Sequence, residues 1–311
     1  MTTAKAACVD HRLLEYGSDE EFVAGVAPFV LEGLRVGEPA LLVASPRNLV
    51  AMREVVGTRA GERVRFADSD GWGSGNVPAR VLAVEWAVRK LLATAVRCRV
   101  VEEFTWRGAA QRKQWCRHEA ATNLLNTSSQ VSMLCAADTR ANTGAFLDDL
   151  RRTHPLLAPD RRNPRFVEPW TYLAHLDDDS YRPAPPDADT STTVADTDLG
   201  AMRQRVTAEA QAAGLGEYQR QCLALAATEI VANALHHGGT VATVMTWAEG
   251  SSFCCEVSDA GPGIADPVAV YRPPEPARGR CGLWLARTFC DDLRIVTSPA
   301  GTTVRMSFTR S

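Results

Sequence analysis

Apolar residues recur along the first half of this chain in two rhythms. Short apolar runs stand between longer segments with an apolar repeat of three to four residues. The pattern predicts a helix from Ser18 to Leu34, capped by Ser18 with Glu21 three residues on. A buried strand follows over Pro39 to Ala44, and Ser45-Pro46 opens a helix through Val56. A strand at Arg63 to Phe66, a long helix at Pro78 to Ala95 and a strand at Arg99 to Phe104 come next. A helix at Gln114 to Asn126 and a strand at Val131 to Cys135 complete the series. Strands alternating with helices of this length argue for a mainly parallel sheet covered on both faces, a three-layer α/β domain.

The rhythm breaks after His175. Asp177-Asp178-Asp179-Ser180 leads into Arg182-Pro183-Ala184-Pro185-Pro186 and a Thr/Ser/Asp stretch ending at Asp198. With little to bury and three prolines, it reads as an acidic, semi-extended tether. From Leu199 the repeat returns. Helices are expected from Met202 to Ala213 and from Glu217 to His237, the second stopped by Gly238-Gly239. Strands at Thr240 to Trp247 and Ser252 to Ser258 then pair across Glu249-Gly250-Ser251. A short helix at Gly282 to Asp291 and a hairpin over Pro299-Ala300-Gly301 close the chain. The organisation is therefore 8–175, a linker 176–198, and 199–311.

Composition narrows the function classes. The 311 residues are 45% hydrophobic and 23% charged, with a formal net charge of -3. That is ordinary for a soluble protein and leaves no basic footprint for nucleic acid. Met1 to Asp10 lacks a signal-peptide shape, and no apolar run approaches the ~18 residues of a membrane helix, so a cytoplasmic location is expected. The nine cysteines form no C-x-x-C pair, so a zinc site or a thioredoxin-type motif has no support. They read as small core residues, with Cys98, Cys116 and Cys135 the alternatives for redox sensing. In a parallel α/β domain ligands lie beyond the carboxyl ends of the strands, which here carry Ser45, Asp68, Glu102, Glu103 and Asp138. Ser45-Pro46-Arg47-Asn48 has no glycine, so a P-loop is absent.

Candidate chemistry concentrates in the helix ending Thr228-Glu229-Ile230-Val231-Ala232-Asn233-Ala234-Leu235-His236-His237. Glu229, Asn233 and His237 are four residues apart and form one polar stripe. Leu223, Ala226, Ile230 and Ala234 form the adjoining apolar stripe. A carboxamide oxygen can ligate a hard cation such as Mg2+, and a carboxylate one turn away can orient or deprotonate a hydroxyl nucleophile. The same pattern also suits a plain amphipathic surface helix.

Two resemblances extend this reading. His11…Tyr16, Glu20-Glu21-Phe22, Gly33-Leu34…Gly37-Glu38-Pro39, Asn76…Pro78-Ala79-Arg80, Cys116…His118-Glu119…Asn123, Cys135…Asp138 and His154-Pro155 together resemble the MEDS sensory domain. That resemblance implies a small-molecule or protein ligand in the first domain. The family often has Pro-Tyr where this chain has Ala136-Ala137.

Glu229…Asn233, Asp259-x-Gly261-x-Gly263, Gly279…Gly282-Leu283 and Gly301-Thr302 follow the motif order of the GHKL ATPase superfamily. This implies an α/β two-layer sandwich that binds ATP and Mg2+. Asp259 would accept a hydrogen bond from the adenine amino group, and Gly261 and Gly263 would admit the nucleotide. The helix opened by Gly282 would hold phosphate, Asn233 would ligate Mg2+, and Glu229 would be the general base or the residue that orients the nucleophile. His237, Leu283 and Thr302 complete the expected pocket. Arg280 stands where the family's Gly-x-Gly-Leu cradle has its first glycine, and could hold a γ-phosphate or crowd it.

Within the superfamily the chain resembles anti-sigma-factor serine/threonine kinases, whose lid is short. About 15 residues separate Gly263 from Gly279 here. The resemblance implies a sigma factor and an anti-sigma-factor antagonist as partners, and a homodimer. Two alternatives stand beside it. One is an ATP-binding switch that sequesters a partner without phosphorylating it. The other is a histidine-kinase-like two-component regulator, which would need an acceptor histidine ahead of Glu229, and none follows His175.

Overall fold

The computed structural model describes residues 9–57, 61–71, 77–104, 109–125, 130–178, 184–185, 190–195, 198–264, 271 and 282–310. The chain divides into two compact units, Met1–Ala174 and His175–Ser311.

The first unit carries β1 (His11–Tyr16), α1 (Asp19–Arg35), β2 (Ala40–Ala44), α2 (Pro46–Val56), β3 (Val64–Asp68), α3 (Val77–Leu92) and β4 (Cys98–Phe104). It continues with α4 (Ala109–Leu125), β5 (Val131–Asp138), α5 (Gly144–Thr153), β6 (Leu156–Leu157) and β7 (Arg161–Arg162). Helix α6 (Pro169–Asp178) crosses the division between the units. The sheet runs β3-β2-β4-β5-β1-β6-β7 and is parallel except between β6 and β7.

Alternation along β2 builds the three layers. Ala40, Leu42 and Ala44 pack with Phe22, Val26, Leu49 and Met52 of α1 and α2. Leu41 and Val43 pack on the other face with Ala87 and Val88 of α3. Side chains of successive strand residues point to opposite faces, so a strand buried on both sides must be apolar throughout. At the start of α1 the Ser18 hydroxyl accepts from Glu21 N at 3.2 Å. The Glu21 carboxylate accepts from Gly17 N at 2.6 Å, so the reciprocal bond reaches one residue farther back than a standard capping box.

The sequence pattern does not reveal β1, which lies inside the sheet between β5 and β6. Its apolar pair Leu13-Leu14 is flanked by Arg12 and Glu15. Those charges are met by Asp10, at 2.6 Å from Arg12, and by Arg151, at 2.5–2.7 Å from Glu15. The expected first strand at Pro39 to Ala44 is therefore the second.

The second unit contains β8 (Thr190–Val194), α7 (Leu199–Ala212), α8 (Glu217–Gly238), β9 (Ala242–Glu249), β10 (Ser252–Asp259), α9 (Gly282–Phe289), β11 (Asp292–Ser298) and β12 (Gly301–Thr309). Its antiparallel sheet runs β11-β12-β10-β9-β8. Val244, Phe253, Cys255, Val257, Val304, Met306 and Phe308 meet Val206, Leu223, Ala226, Ala227, Ile230 and Ala286 in one core between sheet and helices. This is the expected two-layer α/β architecture.

Strand β8 lies inside the stretch 176–198 that composition assigns to a linker. It pairs with β9 from Thr190↔Thr246 to Val194↔Ala242, and Val194 is buried in the core. Its threonines supply β propensity and backbone groups, and the partner strand supplies the reason to be extended.

Candidate functional site

Helix α8 positions the polar stripe by burying the face beside it. Leu223, Ala226, Ile230 and Ala234 are buried. Glu229 and Asn233 are half-buried, while His237 is exposed at the helix end, where its ring packs against that of His236 at 4.6 Å. Neither the Glu229 nor the Asn233 side chain hydrogen-bonds another described residue.

The other parts converge on this stripe. Gly282 begins α9, and a Cβ built on it would come within 2.8 Å of Asn233 Nδ2 and 3.0 Å of Glu229 Oε2. A glycine there lets the helix N-terminus, with its unpaired N–H groups, approach both side chains. At the far end of α8, a Cβ on Gly238 would lie 2.5 Å from Asp259 Oδ1. Asp259 ends β10 opposite Thr302 of β12. Its Oδ1 accepts from Gly261 N at 2.8 Å, which fixes the carboxylate, while Oδ2 has no hydrogen bond among the described residues.

The loop that follows is equally constrained. Gly263 has φ +83°, and a Cβ there would collide with Ser298 O and approach Thr297 Oγ1 at 2.8 Å. Thr297 Oγ1 accepts from Ile264 N at 2.7 Å and lies 3.3 Å from Thr302 Oγ1. Thr297 and Gly238 are site-shaping residues that motif order did not single out. The signal in the sequence was only their type, since their roles depend on loop and strand meeting in space. Leu283 packs against the core from α9.

Gly279, Arg280 and the neighbouring Cys281 lie outside the described residues, as do Arg272 and Arg278. Tyr271, the described residue between Ile264 and Gly282, packs over the Arg287 guanidinium of α9 at 4.2 Å.

The residues present fit a Mg2+-nucleotide. A carboxylate oxygen is available at a strand end, a carboxamide and carboxylate are available one turn apart, and a helix N-terminus reaches them without a side chain between. The unit offers three kinds of group to such a ligand. Asp259 offers an acceptor to an exocyclic amino group, the first turn of α9 offers donors to phosphate, and Asn233 offers an oxygen to a hard cation.

In the first unit, three of the carboxylates expected to face a ligand are met by side chains of the protein itself. Glu103 accepts from Tyr16 OH and Ser45 N, each at 2.7 Å. Arg80 donates to Glu102 Oε1 at 2.7 Å and to Glu103 O at 2.8 Å. Arg140 donates to Asp138 at 2.7 Å.

Two family matches fall one in each unit. Residues 10–155 match the family described as MEDS, the methanogen/methylotroph, DcmR sensory domain. Residues 192–308 match the histidine kinase-like ATPase domain. No curated protein matches the chain. Among solved structures, the RsbU and RsbW domains of Rv1364c from Mycobacterium tuberculosis align at 18% identity and a TM-score of 0.29, over 39% of this chain and 32% of that one. The present chain thus spans about a third of that protein's aligned chain. The Acinetobacter baumannii histidine kinase AdeS aligns at 9% identity and a TM-score of 0.28, over 64% of this chain and 95% of that one. Among the described residues no helix is long and apolar enough to cross a membrane. The chain therefore joins a MEDS sensory domain at residues 10–155 to a histidine kinase-like ATPase domain at residues 192–308.

Proposed function

We propose that this protein is a regulatory anti-sigma factor with ATP-dependent serine/threonine kinase activity towards an anti-sigma-factor antagonist, gated by its sensory domain. The observation that carries the reading is the approach of Gly282 to both Glu229 and Asn233. It brings the donors of a helix N-terminus to a carboxylate and a carboxamide that no other described residue engages.

Mg2+-ATP, when bound, would supply the phosphoryl group and a cation to balance its charge. Asn233 holds the cation, α9 orients the phosphates, and Asp259 selects adenine over guanine. Glu229 orients, or takes the proton from, the hydroxyl of the protein substrate. The serine/threonine assignment is supported by the motif order and the short interval between Gly263 and Gly279. The sigma factor and its antagonist follow from the same resemblance. Arg280, in place of a cradle glycine, favours a second reading, in which ATP binding controls partner capture without transfer.

The test is calorimetry of the intact chain with Mg2+-ATP, followed by labelling with γ-phosphate-labelled ATP in the presence of candidate antagonists. Binding competed by ADP but not GTP is expected, with acid-stable label on the antagonist. Binding without label supports the second reading. Acid-labile label on the chain itself would replace both with a histidine-kinase mechanism. No binding at about millimolar ATP overturns the nucleotide site.

A further inference from the structure

A second constellation lies in the first unit. His11 of β1, Glu119 of α4, Cys135 of β5 and His154 just after α5 meet in the interior, all of them buried. One ligand atom from each lies within 4.8 Å of the others. His11 Nε2 is 3.1 Å from Glu119 Oε2 and 3.3 Å from Cys135 Sγ. His154 Nε2 is 3.3 Å from the same Glu119 oxygen, and Cys135 Sγ is 3.8 Å from it. Bonds of ~2.0–2.3 Å around a tetrahedral ion place its ligand atoms about 3.3–3.8 Å apart. Four of the six separations here, at 3.1–3.8 Å, are close to that, and His154 lies within 4.8 Å of the remaining two ligand atoms.

The hydrogen bonds outside the cluster set the tautomers. Asn123 Nδ2 donates to Glu119 O at 2.9 Å and to Thr153 O at 2.7 Å. Its Oδ1 therefore faces His11 Nδ1, at 3.1 Å, and that nitrogen must donate. His154 Nδ1 lies 2.7 Å from Leu150 O, which can only accept. With its proton on Nδ1, the His154 ring carries its lone pair on Nε2. That atom is buried with no hydrogen-bond partner, and it points at a carboxylate oxygen, which is also an acceptor. An imidazole anchored through its far nitrogen, with its near lone pair aimed inward, is the usual arrangement around a metal site.

A proton can bridge His11 to Glu119. It leaves His154 Nε2 orphaned, a cost of about 1–3 kcal/mol for a buried polar atom. A single cation at the centre engages all four groups. We propose that His11, Glu119, Cys135 and His154 bind one divalent transition-metal ion of the zinc class. Two imidazoles, a carboxylate and a thiolate form a mixed nitrogen, oxygen and sulfur set that suits Zn2+ or Co2+, and not Mg2+ or Ca2+. On binding, the Cys135 Sγ–H bond breaks, sulfur keeps the electron pair for the metal, and the proton leaves to solvent. The site is independent of the nucleotide reading.

The absence of a C-x-x-C pair argued against a zinc site from the sequence. That argument covers only ligands close in the chain. Here His11 and Cys135 are 124 positions apart, and the parallel pairing of β1 with β5 brings them together.

The test uses the full chain, stripped with chelator and titrated with Co2+ alone. One equivalent per chain is expected, with the visible bands of tetrahedral cobalt and a thiolate charge-transfer band. Cys135→Ser should lose that band, while Cys98→Ser keeps it. Asn123→Ala should retain the band and weaken binding about 10–100-fold, because Asn123 only orients His11. Zinc K-edge absorption of the unaltered chain needs no variant, and one sulfur neighbour among four is expected. No stoichiometric uptake by a stripped, folded chain overturns the proposal. So does a band that survives Cys135→Ser, or a zinc shell with no sulfur or several.

Discussion

Gly238 and Asp259 approach so closely that a single methyl group does not fit between them. A Cβ on Gly238 would lie 2.5 Å from Asp259 Cβ, Cγ and Oδ1. The C-terminal end of the helix that carries Glu229 and Asn233 therefore rests directly on the carboxylate assigned to adenine. Gly238→Ala is expected to push Asp259 out of its bond with Gly261 N and to destabilise the unit by about 1–3 kcal/mol, the usual cost of overpacking. Urea denaturation measures the stability loss. Nucleotide titration should show weaker binding than in a Gly200→Ala control, where a Cβ meets nothing within 4 Å. Equal behaviour of the two variants would remove Gly238 from the site.

Glu229 and Asn233 are one helical turn apart but have separable roles. Glu229→Ala should abolish phosphoryl transfer and leave nucleotide affinity nearly intact. Asn233→Ala should lose the part of the affinity that depends on Mg2+. Calorimetry with Mg2+ and with chelator separates the two. If affinity is the same with and without Mg2+ in both the parent and Asn233→Ala, the metal role of Asn233 is wrong. Transfer retained by Glu229→Ala would remove it as the base.

Arg305 and Glu256 form a buried pair across β12 and β10, with 2.6–2.8 Å between guanidinium nitrogens and carboxylate and with 7% of each side chain exposed. Arg305 also stacks over Trp247 at 4.7 Å. Glu256→Ala leaves a buried guanidinium without its carboxylate, which costs about 3–5 kcal/mol. The double replacement Glu256→Leu with Arg305→Met should recover most of that loss. Equilibrium unfolding of the single and double variants checks both statements.

The cysteines make stability depend on alkaline pH. Burial, with the charge of Glu38 behind it, pushes the Cys98 thiol up to about 11. Burial pushes Cys255 up to about 12. An unfolded thiol ionises near ~8.5. Because the folded values are raised, the stabilisation is complete below about pH 8.5 and is lost as pH rises towards about 11–12. Unfolding free energy should fall over this window, less steeply in Cys98→Ser. At pH 8 neither thiol should react with an aromatic disulfide until the chain unfolds. Rapid labelling of Cys98 in the native protein would restore the redox-sensor reading.

Elements with a strong local pattern are legible in the order of residues alone. Helix α8 shows this best, since its apolar stripe and two terminal glycines fix both its face and its end. The order Glu229, Asn233, Asp259, Gly261, Gly263, Gly282 and Thr302 is equally visible, because a motif of residue types can be read whatever surrounds it. Strands β1 and β8 are not visible in this way. Arg12, Glu15 and the threonines of β8 look like solvent-facing residues until salt bridges and a neighbouring strand meet them.

The two α/β patterns and the residue types of the candidate nucleotide site can be read along the chain, since periodicity and glycine placement act over a few residues. It takes the folded chain to show that Gly238 must be small, that Thr297 anchors the glycine loop, and that His11, Glu119, Cys135 and His154 share one buried point. Those relationships join segments up to 143 positions apart, from His11 to His154. Strand pairing and helix packing create them, and no pattern along the chain records that distance.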